Sequence, residues 1–280
     1  MQTSTRPHAS AGPHAADRRA AAPDVRDLLF EPIAGRSFPF EITATEPAVL
    51  AGAQRLSDHA VELGLEIEWM ARDGDRLEPG STVLRARADA WRLVRAEEAL
   101  LATIGKQSGV ATAAAHLVAL AGGHARVVCG AWKKVPAEIR ADLRHAASLG
   151  GAGMRILDRP FVYLDKNYVR MLGGAAAAVR QARRVESRAV VVQLRGELEP
   201  IGDEAESAIA GGADVLMVDT GAVADLAAVA GRARGRAVVA FGGGVHAGNI
   251  AALIDAGAGV LDVGRAILDA PMIDFRLDVR

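Results

Sequence analysis

The chain has 280 residues, half of them apolar, with 33 Lys and Arg against 34 Asp and Glu. Charge so close to balance leaves no basic footprint for nucleic acid or an anionic membrane surface, and no apolar run approaches the ~20 residues that a membrane span needs. The one cysteine, Cys129, has no partner for an internal disulfide, which fits a reducing, cytoplasmic setting.

Residues 1–24 are rich in Ala, Pro, Arg, His and Ser and lack the apolar stretch of a signal peptide, so a disordered tail is expected there. Phe38 to Gly52 reads as strand. Gln54 to Leu63 has helical spacing and is closed by Gly64. Leu65 to Met70 alternates as a strand, and Ser81 to Ala88 forms another beyond the Asp73-Gly74-Asp75 and Pro79-Gly80 turns. Two helices follow, Ala90 to Ile104 and Gly109 to Ala121. This first domain, over residues 25–122, is predicted to be α+β.

After Gly123 the rhythm changes. Short β-branched runs alternate with Ala-rich helices, among them Glu138 to Leu149 and Val169 to Arg184. Strand and helix repeated in this way make parallel crossover units. Their number over residues 123–266 predicts an α/β barrel rather than an open sheet, although an open sheet has the same local pattern. In barrels, function gathers at the carboxyl ends of the strands. That rule selects Trp132-Lys133-Lys134, Asp165-Lys166-Asn167, Glu197 with Glu199, Asp219-Thr220, Gly242-Gly243-Gly244 and Gly264-Arg265. Late-strand glycines suit a phosphate, because backbone N–H groups can approach it closely. Tight strand-to-helix turns use glycine as well. Lys133, Lys134 and Lys166 are the cations placed to complement an anion, against the bland reading of solvated surface charges.

Several segments together resemble the quinolinate phosphoribosyltransferase family. Ala96-Glu97-Glu98-Ala99-Leu100-Leu101 through Ser108-Gly109-Val110-Ala111-Thr112 is similar to the family helix AERxxLN…LSGIAT. Ala131-Trp132-Lys133-Lys134-Val135-Pro136 stands where the family has TRKTxP, and Gly150 to Arg155 resembles its glycine-rich loop ending in His-Arg. Leu164-Asp165-Lys166-Asn167-Tyr168 is similar to IKDNH, Gly212 to Thr220 to GADxIMLDN, and Gly242-Gly243 to SGG. Phe275 to Val279 looks like the family's carboxyl-terminal LDxSLDI. The resemblance implies an incomplete, TIM-like α/β barrel with an N-terminal α+β sandwich domain that residues 267–280 return to complete, and homodimers in which one copy's first domain covers its partner's barrel mouth. It also implies a type II phosphoribosyltransferase. Phosphoribose would pass from phosphoribosyl pyrophosphate (PRPP), with Mg2+, to the ring nitrogen of quinolinate, followed by loss of carbon dioxide. Lys133, Lys166, Glu199 and Asp219 would be catalytic, with Glu199 and Asp219 on the metal. Gly242, Gly243, Gly244, Gly264 and Arg265 would hold the 5-phosphate.

The departures concern the acceptor. The family binds two carboxylates with arginines, whose planar forks suit them. Here Glu98 stands for one such arginine and Trp132 for another, Lys134 is new, and Arg155 keeps the loop arginine beside Met154. If Glu98, Trp132, Lys134 and Arg155 line the acceptor pocket, a dianion binds poorly and Trp132 offers a stacking face to some other flat heterocycle. Glu98 as an exposed helix charge and Trp132 as core are the competing readings. The family lysine is displaced from 165 to 166, and one step along a strand reverses a side chain's direction. The family's paired acids match Glu197 and Glu199 only across a small insertion; without it, Gln193 and Arg195 stand there. A diverged paralogue that binds a phosphorylated metabolite without PRPP turnover is the alternative, and an unrelated phosphate-binding barrel enzyme a weaker third.

Overall fold

The computed structural model describes residues 24–280, so the expected tail lies outside the described residues except for Asp24, which caps the first helix by accepting from the Arg26 N–H. The first part of the chain runs α1 (Val25–Phe30), β1 (Phe38–Ala44), β2 (Ala48–Val49), α2 (Ala53–Glu62), β3 (Glu66–Met70), β4 (Arg76–Leu77), β5 (Thr82–Ala88) and α3 (Ala90–Ala121). The second runs β6 (Arg126–Val128), α4 (Ala137–Leu149), β7 (Phe161–Leu164), α5 (Lys166–Met171), α6 (Ala175–Ala182), β8 (Ala189–Leu194), α7 (Ile201–Ala210), β9 (Val215–Val218), α8 (Val223–Ala233), β10 (Val238–Phe241), α9 (Ile250–Asp255), β11 (Val260–Asp262), α10 (Arg265–Leu268) and β12 (Phe275–Val279).

β12 returns to the first part and pairs antiparallel with β1, giving a sheet in the order β12-β1-β5-β3. Phe40, Ile42, Leu84, Ala86 and Phe275 face inward from it onto Leu56 and Ala60 of α2 and Leu93, Ala96, Leu100 and Ile104 of α3. The later strands form one parallel sheet in the order β6-β11-β10-β9-β8-β7. β6 also bridges Gly153 in parallel, and the closure stops there, between Gly153 and β7. The result is an incomplete α/β barrel beside an α+β domain.

The barrel's two faces follow from the period of two along a strand. Val128, Val191, Val215, Met217, Ala240 and Val260 meet inside. The alternate residues, Val127 and Cys129, Val190, Val192 and Leu194, Leu216 and Val218, Val239 and Phe241, and Leu261 and Val263, pack outward against α4 and α6 to α9. Burial pushes the Cys129 thiol up to about 12, so it stays protonated and behaves as a small apolar core residue.

Two expectations about helices fail, each for a tertiary reason. In place of two helices there is one, α3, running unbroken through Gly105 and Gly109. The Pro271–Ile273 backbone crosses these glycines. A Cβ on Gly109 would lie 2.0 Å from the Pro271 carbonyl oxygen, and Ile273 N–H donates to the Gly105 carbonyl at 3.0 Å. Leu93 to Ile104 serve the first core and Val110 to Ala121 the second. Conversely, the helix expected over Val169 to Arg184 is divided at Gly173 and Gly174, whose φ of 80° and 115° lie outside any helix.

One buried carboxylate fixes the loop after β8. Glu204 of α7, 3 % exposed, accepts from the Arg195 and Gly196 N–H groups at 3.0 and 2.8 Å. Burial raises its pKa, with the two N–H donors opposing and Glu199 and Glu197 adding to the rise.

Four substitutions test this packing. Gly109→Ala is expected to cost about 3 kcal/mol in urea unfolding, because backbone must move to admit the methyl. Gly231→Ala in α8, where a Cβ meets nothing within 4 Å, is expected to gain about 0.5–1 kcal/mol. Glu204→Ala is expected to cost about 2 kcal/mol by leaving two N–H groups without an acceptor. Because the raised pKa means the folded state takes up this proton before the unfolded chain does, Glu204's contribution is full below the ordinary carboxyl range and declines as pH climbs through the raised value. Glu204→Gln should keep the fold and flatten that part of the stability–pH curve.

Candidate functional site

Extending the alternation of the strands past their carboxyl ends places Gly130, Tyr163, Gln193, Arg195, Asp219, Gly242, Asp262 and Gly264 on the inner side of one rim. Three of these positions are glycine, so the rim is open where other residues would fill it. A Cβ on Gly130 would meet the Asp262 carboxylate at 2.8 Å, and a Cβ on Gly243 would meet Asp219 Oδ1 at 3.0 Å, where φ is also +88°. Gly242 lies between the two acids, its Cβ position 3.7 Å from Asp219 Oδ1 and 3.9 Å from Asp262 Cβ.

The Gly242–Gly244 turn is held from behind. Asn249 Nδ2 donates to the Gly244 carbonyl at 2.9 Å, and His246 N–H donates to Asn249 Oδ1 at 2.9 Å. The N–H groups of Gly243, Gly244 and Gly264 meet no backbone acceptor among the described residues. These are the open donors that an anion at a glycine loop requires. Gly264 caps α10, whereas Arg265 beyond it is largely exposed and pairs with Asp269 at 3.1 Å.

Asp219 carries the densest contacts of the rim. Gln193 Nε2 donates to its Oδ2, while Gln193 Oε1 accepts the Lys166 N–H at 2.6 Å. Arg195 Nη1 donates to Asp219 Oδ2 at 3.1 Å and to its carbonyl at 3.0 Å. Arg195 Nε reaches Glu197 at 3.1 Å, and Glu197 takes a two-pronged pair from Arg170 at 2.7 and 2.8 Å. The Arg170 guanidinium, and then Arg195, hold the Glu197 carboxyl below its usual range. Asp262 has a different setting. Its Oδ1 accepts the Gly130 N–H at 2.8 Å, yet burial and then Asp219 raise its pKa. The Tyr163 phenol is raised by burial and by the negative charge of Asp262, Asp219 and Asp165.

The residues expected at the site divide into two groups. Asp219, Gly242, Gly243, Gly244 and Gly264 lie together on the rim. Lys133 and Lys134 sit on the short turn Ala131–Lys134 after β6, exposed and without an ion-pair partner among the described residues. Arg155 follows Gly153 at the same end, also exposed. Lys166 begins α5, its side chain exposed, while Asp165 is used as the helix cap, accepting from Asn167 and Tyr168 N–H. Trp132 is core: it is 7 % exposed among Cys129, Val135 and Leu143, with Arg144 of α4 5.6 Å from its ring and its Nε1 without a hydrogen-bond partner. It offers no stacking face. Glu98 is an exposed charge on the first half of α3. Of the two substitutions that argued against a diacid, Trp132 is therefore packed in the core and does not line the rim of its own chain.

The Mg2+ expectation meets a poor set of ligands. The two rim-facing positions at the end of β8 are Gln193 and Arg195, and Glu199 lies in the loop beyond them. Among the described residues no group of three or more His, Cys, Asp or Glu side chains is placed to hold a metal. A dication brought within ~4 Å of the Arg195 guanidinium would meet repulsion of about 8 kcal/mol at an effective dielectric of ~20, before solvent screening. These residues do not fit a divalent cation held at Asp219. Asp262 is absent from the motifs, and Gln193 and Arg195 stood in them only as the alternative in which the paired acids are matched without an insertion; all three lie on the rim. Strand parity, counted back from the glycine ends, is the signal that finds them.

Comparisons with known proteins agree with the fold. The description "Quinolinate phosphoribosyl transferase, N-terminal domain" matches residues 27–108, and "Quinolinate phosphoribosyl transferase, C-terminal domain" matches residues 110–278. The human nicotinate-nucleotide pyrophosphorylase (carboxylating) is 28% identical over 240 residues, 84% of this chain and 80% of the relative. The rat protein of the same name is 28% identical over 262 residues, 91% and 86%. The structure of nicotinate-nucleotide pyrophosphorylase from Francisella tularensis superposes with a TM-score of 0.75 at 24% identity, covering 91% of this chain and 94% of that one. The Ehrlichia chaffeensis enzyme of that name does so with 0.77 at 18% identity, covering 91% and 92%. At such identities the superpositions bear on the fold. The two domain matches together take in nearly all the described residues, and the chain belongs to the quinolinate phosphoribosyl transferase family.

Proposed function

We propose that this chain is a phosphoribosyltransferase that transfers phosphoribose from PRPP to the ring nitrogen of a flat nitrogen heterocycle. The observation that carries the reading is the row of open N–H donors at Gly243, Gly244 and Gly264 beside Asp219, on the rim of a barrel of this family. The glycine N–H groups would take the 5-phosphate, and Arg195, with the exposed Lys133 and Lys166, would face the diphosphate. Asp219 and Asp262, on either side of Gly242, would favour the ribosyl cation that develops as the C1–O bond lengthens and the ring nitrogen attacks. Catalysis of this kind rests on positioning and electrostatics.

Quinolinate is the first acceptor to test. The case against it leaned on Trp132 and Glu98, and Trp132 is core. Decarboxylation would follow only where the acceptor carries the carboxylate that leaves. Lys134 and Arg155, exposed beyond the end of β6 and after Gly153, would be the cations available to an acid group within one chain. The proposal extends to a homodimer in which the partner's first domain covers the rim. The paralogue reading keeps one observation in its favour: Asp165 stands at a rim position and is spent on a helix cap, with the lysine displaced to an exposed neighbour.

Pyrophosphate release should be followed with PRPP and a panel of nitrogen heterocycles that includes quinolinate. Acceptor-dependent release is the expected result. Gly243→Val should lower kcat/KM by about 100-fold through both steric intrusion on Asp219 and backbone strain. PRPP binding without release for any acceptor would favour the paralogue, and absence of PRPP binding would remove both the donor and the transfer.

A further inference from the structure

We infer that Arg195 is the standing cation of Asp219, in the place where a divalent metal would otherwise sit, and that a diphosphate at this rim meets the guanidinium directly. The second half rests on the phosphoribosyltransferase reading; the first does not.

Three N–H contacts converge on Asp219: Gln193 Nε2 on Oδ2, Arg195 Nη1 on Oδ2, and Arg195 Nη1 on the main-chain carbonyl. A metal ion needs lone pairs at such a place, and here the neighbours present hydrogens. Gln193 cannot turn its amide oxygen toward Asp219 without cost, because that oxygen already accepts the Lys166 N–H at 2.6 Å. The amide orientation is thus set by the start of α5.

Arg195 is fixed at both ends. Its N–H is held by buried Glu204 at 3.0 Å, and its Nε by Glu197 at 3.1 Å, itself clamped by Arg170. The guanidinium is therefore positioned before any ligand arrives. Its Nη2 makes no hydrogen bond among the described residues, which leaves a donor pair for an incoming oxyanion. Planar guanidinium donors suit diphosphate oxygens, and a positioned one costs little to order. Glu199, the other acid expected on a metal, is in the loop past Arg195 and has no part in these contacts.

Two measurements on the full chain test this. In the first, Mn2+ alone is titrated and followed by electron paramagnetic resonance. The wild type is expected to show no site tighter than about 1 mM, while the double variant Gln193→Glu/Arg195→Glu, which supplies carboxylates, gains one. One wild-type Mn2+ site tighter than about 0.1 mM that Asp219→Ala removes would overturn the inference, whatever PRPP does. In the second, PRPP is titrated calorimetrically in EDTA and in Mg2+. Affinities within about threefold of one another are expected, with Arg195→Ala losing at least about tenfold in EDTA. Binding that requires Mg2+ would overturn the diphosphate half. No binding in either buffer would remove the proposed donor, and with it that half, while the Mn2+ titration still decides what Asp219 holds.

Discussion

Alternate residues of a β-strand must face opposite ways, and six parallel strands in register apply that constraint six times around one barrel. Everything at the rim depends on it. The interior is packed by Val128, Val191, Val215, Met217, Ala240 and Val260, so the next inward positions toward the carboxyl ends are the first with access to solvent. Those positions hold Gly130, Gln193, Asp219, Gly242 and Asp262. The same parity sends Cys129, Leu194, Val218, Phe241 and Val263 outward into the helical layer. Rim and core are thus interleaved residue by residue along the same strands.

The rim combines bare glycines with acids in two different states. Asp219 is compensated by Gln193 and Arg195, whereas Asp262 has one backbone N–H and a raised pKa. Two carboxylates on either side of Gly242 repel one another, and burial adds to the cost of ionising Asp262. The chain settles this by tying one acid to a guanidinium and leaving the other with a single donor. A chain of ion pairs from Arg170 through Glu197 and Arg195 to Asp219 ties α5 and the loop after β8 to the end of β9. Exposed pairs of this kind contribute little to stability. Their effect here is to hold one cation in place.

Close backbone approach joins the two parts of the molecule. α3 gives its first half to the sandwich core and its second half to the layer around the barrel. The Pro271–Ile273 segment reaches β12 by crossing the helix where Gly105 and Gly109 leave it bare, and Lys106 Nζ donates to the Leu268 and Ala270 carbonyls at 2.8 Å on the same path. Gly150, at the end of α4, would place a Cβ 2.3 Å from the Ala111 carbonyl oxygen. These contacts set the rim relative to the first domain, and they need hydrogen rather than methyl at each crossing.

The sequence made legible the parallel strand–helix repeat, the glycine turn at Gly242–Gly244 and Asp219 at a strand end, which are local properties of the chain, whereas closure into an incomplete barrel was not local, since an open sheet has the same alternation. It did not determine that α3 runs through its glycines, since the reason is the backbone of residues 271–273 far along the chain. Nor did it show that Trp132 is core: four residues past the end of β6, a tryptophan can turn either way, and burial in the layer between strands and helices decides it. The same holds for Gln193 and Arg195, which as letters are two polar residues in a strand end. Only the folded barrel, by setting parity and by bringing Lys166, Glu197 and Glu204 to them, makes one an oriented amide and the other a fixed cation on Asp219.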